Sequence, residues 1–289
     1  MPTIFRQKVI SNNVVFNDVL PAGATNFAID IFDGWKDTGD PEESLVSLGS
    51  YRDGSSSASY YPIRSKFMNL GGYVTATNQA NAEAMADKLV RDSFPRNASF
   101  RVERYESLPK YMMVRRSAAV EFDWSVVPEG FRWSTTLVAE DPFRYDINPA
   151  TVFTGVANVA SGGHTFPVTF PMTFNTGGSG TGAGAGVNNT GTAPTANFTA
   201  TLAGPLSKGA WRVSNDTTGE SIGFNVAVGG SDQLIIDFLA QVATLNGFPV
   251  TSDYFGDFWR LAPGNNVIRL YAEYDPSASV TINHFSAWE

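Results

Sequence analysis

Short runs in which apolar and polar residues alternate recur along almost the whole of this 289-residue chain. Phe100 and Val102, for example, alternate with charged residues, which is the period-two pattern of a strand with one buried face. The same pattern predicts strands in three other parts of the first half: residues 66–76, 112–124 (one strand or a pair) and 131–137. Gly71-Gly72 interrupts the first of these, so a bulge or a close backbone approach is expected there. The pattern predicts a mostly β fold.

Residues 77–95 show a helical pattern and lie between two of these predicted strands. Its apolar residues recur three and four positions apart: Ala82, Met85, Ala86, Leu89 and Val90. This spacing places them on one face of an α-helix. Thr77, Asn78 or Asn81 can cap its start, and Pro95 ends it. We predict a helix that packs on its own sheet, in preference to one that offers its apolar face to a partner.

From about residue 150 onward the chain shows short strands about ten residues apart, separated by turns, which is typical of a β-sandwich or barrel. The predicted strands carry the alternating sets Phe166/Val168/Phe170, Phe198/Ala200/Leu202, Trp211/Val213, Ile222/Phe224/Val226/Val228, Leu234/Ile236/Phe238, Trp259/Leu261 and Ile268/Leu270, and a last strand covers residues 279–285. The turn at 215–219 predicts a hairpin. Residues 234–245 remain ambiguous between strand and helix.

The sequence predicts two long loops. Residues 176–195 form a Gly-rich tract that we predict to be a flexible loop inside the second domain, because it lacks the flanking strand and helix of a phosphate-binding loop. Residues 33–59 form a second loop. The acidic residues within 30–43 would suit calcium, but their spacing does not match an EF-hand. A solvated loop, or one that docks on a neighbouring subunit, is the better interpretation.

Candidate catalytic groups are scarce. The chain has no cysteine, which excludes disulfides, thiolate metal sites and cysteine nucleophiles. Its two histidines, His164 and His284, lack nearby ligand residues, so we expect surface or capping roles for both. No nucleophile elbow and no Gly-Lys-Ser/Thr phosphate loop occurs. We therefore expect no enzyme activity, no catalytic residue, no cofactor and no metal site.

The charge balance points away from nucleic acid as a bound partner. The chain has 20 basic and 28 acidic residues, a formal net charge of −8, whereas affinity for phosphate comes from clustered Lys and Arg. Arg115-Arg116 is the only basic doublet, and we predict it to be a solvated strand edge. The N-terminus lacks a signal-peptide pattern, and no apolar stretch approaches the length of a membrane span.

Three passages resemble the distal tail proteins (Dit) of long-tailed bacteriophages. The first is the strand–helix–strand unit of residues 61–105, and the second is the alternating strand that runs into Asp141-Pro142-Phe143. The third is the C-terminal pattern Leu-x-Pro-Gly-x-Asn-x-Ile-x-Leu, from Leu261 to Leu270. The resemblance covers most of the chain from about residue 60 onward. The long Gly-rich tract and the long acidic loop depart from the family pattern.

The resemblance implies a fold, a function and partners. It implies a tail-tube-like β-sandwich with a flanking helix over residues 1–148, followed by a galectin-like β-sandwich over 149–289. Such proteins form a hexameric ring that joins the phage tail tube to the tail-tip or baseplate hub. The implied partners are other copies of the chain, the tube protein and the tail-tip hub protein, with no membrane, and DNA only passes through the lumen. The implied location is the tail tip of a virion assembled in the host cytoplasm.

Rival functions remain open from the sequence. A galectin-like domain of a tail tip could be a carbohydrate-binding module, with Trp211, Trp259 and Trp288 as candidate glycan contacts. Packing in a core or an interface is the competing role for these tryptophans, and we favour it. A different tail component, such as a tube or tip subunit of the same ancestry, is a second rival. An enzyme that cleaves host surface polymers is a third, and the missing acid/base pattern argues against it.

Overall fold

In a computed structural model of the protein, the described residues are 8–17, 26–36, 45–47, 55–57, 65–125, 129–154, 184–209, 211–272 and 278–289. The chain divides into two compact units. The first unit comprises residues 1–147 together with Glu289, and the second comprises residues 148–288. No helix in the described part of the chain combines the length and apolar character needed to cross a bilayer.

The first unit is an antiparallel sheet with one α-helix. Its strands are β1 (Val9–Ser11), β2 (Val14–Phe16), β3 (Asn26–Asp33), β4 (Leu45–Ser47), β5 (Ser55–Ser57), β6 (Lys66–Thr75), β7 (Phe100–Arg104), β8 (Lys110–Arg116), β9 (Glu121–Asp123), β10 (Gly130–Ala139) and β11 (Arg144–Asp146). The main path runs β2-β1-β7-β8-β10-β6-β3, with β9 beside β10 and β11 beside β8. Strands β4 and β5 form a separate hairpin.

Asn17 brings the two end strands of this path together. Its backbone N–H donates to the Phe27 carbonyl at 3.0 Å. Its side-chain amide donates to the Ile29 carbonyl at 3.1 Å and accepts from the Ile29 N–H at 3.0 Å. The sheet therefore curls around a single core, to which both halves of the path contribute: Val9, Phe16, Val102 and Met112 from one half, and Ile29, Leu70, Val74, Phe131 and Trp133 from the other.

The predicted helix is present. Helix α1 spans Gln79–Lys88 and continues as one π-helical turn over Leu89–Ser93. Of its predicted apolar face, Ala82, Ala86 and Leu89 are buried in the core of the first unit. The helix therefore packs on its own sheet, as the sequence favoured. Asn78 is the cap: its side chain accepts a hydrogen bond from the Asn81 N–H at 2.9 Å.

Replacing Asn78 with Ala should lower the free energy of unfolding of the first unit by about 1 kcal/mol, because one N–H of the first turn loses its acceptor. The shift of the urea midpoint measures this. Gln79→Ala is the control, since the exposed Gln79 side chain bonds only to Glu83. Equal midpoints for the two variants would mean that the cap contributes nothing.

The second unit is a sandwich of two antiparallel sheets. Its strands are β12 (Ala150–Thr154), β13 (Ala185–Asn189), β14 (Phe198–Ala203), β15 (Trp211–Asn215), β16 (Glu220–Phe224), β17 (Gln233–Asp237), β18 (Val242–Leu245), β19 (Phe248–Pro249), β20 (Tyr254–Gly256), β21 (Gly264–Ala272), β22 (Ser279–His284) and β23 (Ala287–Trp288). One sheet has the order β12-β22-β14-β17-β18-β19 and the other β13-β21-β15-β16-β20. Side chains from both sheets share one core.

The fold-class prediction of a mostly β protein with one α-helix is confirmed, and several local predictions are resolved. The ambiguous residues 234–245 form the hairpin β17–β18. The hairpin predicted around residues 215–219 is β15–β16. Trp259 and Leu261 do not form a strand, because Leu261 makes only an isolated bridge with Thr195.

The two long loops are more structured than predicted wherever they are described. Within the tract 176–195, residues 176–183 lie outside the described residues, but Ala185–Asn189 is a strand paired with β21. The prediction of a flexible loop is wrong for this part, since Val187 and Asn189 are fully buried. Within 33–59, β4 and β5 are paired, and most of the remaining loop, like Phe166, Val168 and Phe170, lies outside the described residues.

Candidate assembly surfaces

The outer face of β3, β6 and β10 in the first unit carries exposed apolar side chains. Phe67 is 60% exposed, Ile31 44% and Tyr73 36%. Ile31 lies opposite Gly71 in the β3–β6 register, and Tyr73 lies opposite Arg132 in the β6–β10 register. Large apolar side chains grouped on a solvent-facing sheet are typical of a surface that another protein covers. We call this surface the β6 face.

A second exposed aromatic group lies near β9. Trp124 is 44% exposed and contacts Phe131, with ring centroids 4.8 Å apart. Phe122 packs edge-on against the same Phe131 ring. Sequence reasoning did not single out Trp124, because a tryptophan at the end of a strand gives the same pattern whether it is buried or exposed.

A cluster of cations surrounds Glu106 in the first unit. The Glu106 carboxylate lies 2.9 Å from Arg104 and 3.2 Å from Lys36. Burial lowers the pKa of Arg144, and the charge of Glu106 opposes that shift. Burial also lowers the pKa of Arg104 and of Lys110, and the positive charge of Arg144 lowers both further. Arg144 therefore lies close enough to Arg104 and Lys110 for its charge to shift the pKa of both.

The Leu261–Leu270 pattern closes a turn around a buried amide. Asn266 is fully buried, and its side-chain N–H groups donate to the carbonyls of Ala262 at 2.8 Å and Gly264 at 3.1 Å. Its carbonyl oxygen accepts from the Ala262 N–H at 2.9 Å. The pattern therefore encodes a turn whose backbone polar groups are satisfied by one side chain.

Two further buried asparagines extend this polar centre. Asn215 donates to the side-chain oxygen of Asn266 at 3.0 Å, and its own oxygen accepts from the Thr217 N–H at 3.1 Å. Asn189 donates to the Ala193 carbonyl at 2.8 Å and accepts from the Ala287 N–H at 3.2 Å. These three side chains, which we call the asparagine centre, join four separate parts of the second unit.

Comparison with known proteins identifies this unit. Residues 190–288, which include the Leu261–Leu270 pattern and all of the asparagine centre except Asn189, match the family model described as siphovirus-type tail component, C-terminal domain. The chain therefore carries, over residues 190–288, the C-terminal domain of a siphovirus-type tail component. It is a structural component of a phage tail or baseplate, and hence of a virion, and the resemblance read from the sequence is confirmed.

Solved structures show the same fold at low sequence identity. The crystal structure of the SPP1 Dit protein matches with a TM-score of 0.63 and 11% identity, over 96% of this chain and 98% of that chain. A chain in the structure of the phage P2 baseplate in its activated conformation with Ca has a TM-score of 0.46 and 14% identity, over 97% of this chain and 98% of that chain. No curated protein gives a significant match. The first comparison shows a Dit-like fold.

The structure changes the interpretation of the candidate glycan contacts in this tail component. Trp211 and Trp259 are buried at 2% and 1% exposure, and the Trp211 indole donates to the Val226 carbonyl at 2.9 Å. Both pack among the phenylalanines of the sandwich core. Core packing, which the sequence favoured for both, is therefore what the structure shows, and the rival role of either as an exposed glycan contact is wrong. Trp288 is half-buried, and its role as a glycan contact stays a prediction.

His284 is also placed differently from the expectation. It is 2% exposed in β22, and its Nε2 lies 3.1 Å from the Asn188 carbonyl, so it is a core residue and not a surface one. His164 lies outside the described residues. Among the residues that the structure describes, no three His, Asp or Glu side chains come together as metal ligands would. Arg115 of the basic doublet forms an exposed ion pair with Glu140 at 2.7 Å.

Proposed function

We propose that copies of this chain assemble into a hexameric ring that joins the phage tail tube to the tail-tip or baseplate hub and leaves a channel for DNA. The match of residues 190–288 to the tail component family carries the proposal. The SPP1 Dit protein is described as a paradigm of the hub of the adsorption apparatus in phages that infect Gram-positive bacteria. We extend that hub role to this chain, as a structural part without catalysis.

The surface of the first unit supports assembly. The β6 face exposes Phe67, Ile31 and Tyr73 to solvent in the single chain. Such a group of apolar side chains is typical of a surface that another protein covers. Contact with a neighbouring copy, the tube protein or the hub protein would cover it. The net charge of −8 suits a channel that DNA passes without binding, because like charges repel.

Assembly predicts a particle of six chains in solution. Native mass spectrometry of the full-length protein should give six times the 31.2 kDa chain mass, and negative-stain images should show a ring with an axial hole. Phe67→Asp should reduce the assembled fraction at least tenfold, because it places a charge on the β6 face. Leu239→Asp is the matched control, since Leu239 is a similarly exposed apolar residue of the second unit.

A monomer at every concentration, alone and after addition of the tube and hub proteins, would overturn this proposal. A closed ring whose stability is unchanged by Phe67→Asp would retain the ring and overturn only the role of the β6 face in its contacts.

A further inference from the structure

The turn between β18 and β19 is formed by Asn246-Gly247, the one Asn-Gly pair in the sequence. Both residues are exposed and have positive φ angles, +50° for Asn246 and +82° for Gly247. Asn-Gly suits a two-residue hairpin turn because both central positions need a positive φ. The same pair is the one most prone to lose its side-chain amide, since glycine is flexible and places no side chain beside the backbone nitrogen that attacks the amide.

Hydrogen bonds hold both polar atoms of the Asn246 side chain. Its Nδ2 donates to the Asp232 carboxylate at 2.8 Å, and its Oδ1 accepts from the Gln233 N–H at 2.9 Å. The other oxygen of Asp232 accepts from the Gly229 N–H at 2.8 Å, which fixes the carboxylate in turn. The hydrogen bond from Asn246 is the main cause that lowers the pKa of Asp232. The amide is therefore tied to an ionised group that lies before β17 in the chain.

We propose that Asn246 is a site of spontaneous deamidation and that the Asp232 carboxylate restrains this reaction in the folded protein. In the reaction, the Gly247 nitrogen forms a bond to the side-chain carbon Cγ of Asn246, and the amide nitrogen leaves as ammonia with the proton that the Gly247 nitrogen gives up. Water then opens the resulting succinimide at one of its two carbonyls and gives aspartate or isoaspartate. The amide must leave Asp232 before it can react, so this hydrogen bond opposes the first step. The proposal does not rest on the ring, because it concerns one turn of a single chain.

Deamidation would replace this hydrogen bond with a repulsion. The new carboxylate at position 246 would face the Asp232 carboxylate, and two negative charges at such a distance destabilise each other. Isoaspartate would also lengthen the backbone by one methylene group inside a turn whose length fixes the register of its strands. The modification would therefore weaken the β17–β18–β19 part of the second unit.

Rates of amide loss in the full-length protein test the restraint. Incubation at mildly alkaline pH, followed by digestion and mass spectrometry of the peptides, gives the rate at Asn246. We expect this rate to be about tenfold lower in the folded protein than in guanidinium chloride, and Asp232→Ala to remove most of that difference, as loss of one hydrogen bond to a charged group would. Asp257→Ala is the control, since Asp257 is an exposed aspartate of the same unit whose side chain bonds to no described residue.

The variant Asn246→Asp tests the effect of the product. Repulsion from Asp232 should raise the pKa of one of the two carboxylates in the folded protein, so the variant should lose stability relative to the natural protein as pH rises from about 4 to neutral. Below that range both carboxylates are protonated in the folded and the unfolded chain, and the difference should vanish. Asn265→Asp is the control, because it adds the same charge at an exposed asparagine of another turn.

Three results would overturn the proposal. The first is an equal rate of amide loss at Asn246 in the folded and the unfolded protein. The second is a folded Asp232→Ala protein that loses the amide no faster than Asp257→Ala. The third is an Asn246→Asp protein whose stability depends on pH in the same way as that of Asn265→Asp. If circular dichroism shows that Asp232→Ala does not fold, Asp232→Asn, which removes only the charge, replaces it and must still lose the amide faster than Asp257→Ala.

Discussion

Gly72→Ala should destabilise the first unit by about 3 kcal/mol, because the new methyl group would collide with the neighbouring strand. A Cβ on Gly72 would lie 1.8 Å from the Ala28 carbonyl oxygen and 2.8 Å from its carbon. Both are backbone atoms, so no rotamer change relieves the contact. Strands β3 and β6 would have to separate where Ile29 now faces Gly72.

Gly71→Ala is the matched control for this substitution. A Cβ on Gly71 would meet the Ile31 side chain and the Trp133 carbonyl at 3.3 Å, and a shift of a few tenths of an ångström accommodates it. We expect a loss below about 1 kcal/mol for the control. Chemical unfolding gives the two free energies, and hydrogen exchange in β3 locates the change. A Gly72→Ala protein no less stable than Gly71→Ala would show that the two strands can separate at little cost.

This glycine pair shows how far the sequence could predict the first unit. The pair predicted a bulge or a close approach, and both occur: Gly72 meets Ala28, and the register shifts between Ile29 and Ile31 on the facing strand. The sequence could not place the irregularity on β3, because that depends on which strand becomes the neighbour. The helix was predictable because its apolar residues repeat on one face, whatever they pack against.

The second unit shows where local pattern fails. Ala185–Asn189 has the composition of a flexible linker, yet it pairs with β21 about 80 residues later in the chain. The partner strand supplies the hydrogen bonds, and the core of the sandwich supplies the burial of Val187, so the tertiary context overrides the local preference. The hairpin in residues 234–245 could not be predicted from local pattern either. Its turn has Gln241 at a φ of +55°, and glutamine is not one of the residues that are typical of such a turn.

The candidate sites were the least predictable feature. A tryptophan side chain can pack in a core or bind a ligand on the surface, and its burial in the folded protein shows which of the two it does. Trp211 and Trp259 are buried in the core. Arg144 was not singled out, since nothing in Asp-Pro-Phe-Arg-Tyr-Asp distinguishes a buried cation from an exposed one. The family pattern at Leu261–Leu270 was the most informative passage, and Asn266 explains in physical terms what it encodes.

Asn266→Ala should destabilise the second unit by about 4 kcal/mol, because it leaves several buried backbone and side-chain groups without a partner. The lost bonds are those to the Ala262 N–H and carbonyl, to the Gly264 carbonyl and from the Asn215 side chain. A turn closed by a single side chain has no second group to take its place. Unfolding in urea, followed by the fluorescence of the buried Trp211 and Trp259, measures the loss.

Asn265→Ala is the control for this substitution, since Asn265 is the exposed neighbour in the same turn. This variant should lower the free energy of unfolding by less than about 0.5 kcal/mol. Asn266→Asp is the sharper test. The Asp side chain keeps an oxygen that can accept from the Ala262 N–H. It replaces the amide nitrogen, which donates to the Ala262 and Gly264 carbonyls, with a second acceptor oxygen. If the asparagine centre acts through its hydrogen bonds, the Asp variant should be at least as unstable as the Ala variant. If the Asp variant were as stable as the natural protein, size and not hydrogen bonding would explain the asparagine at this position.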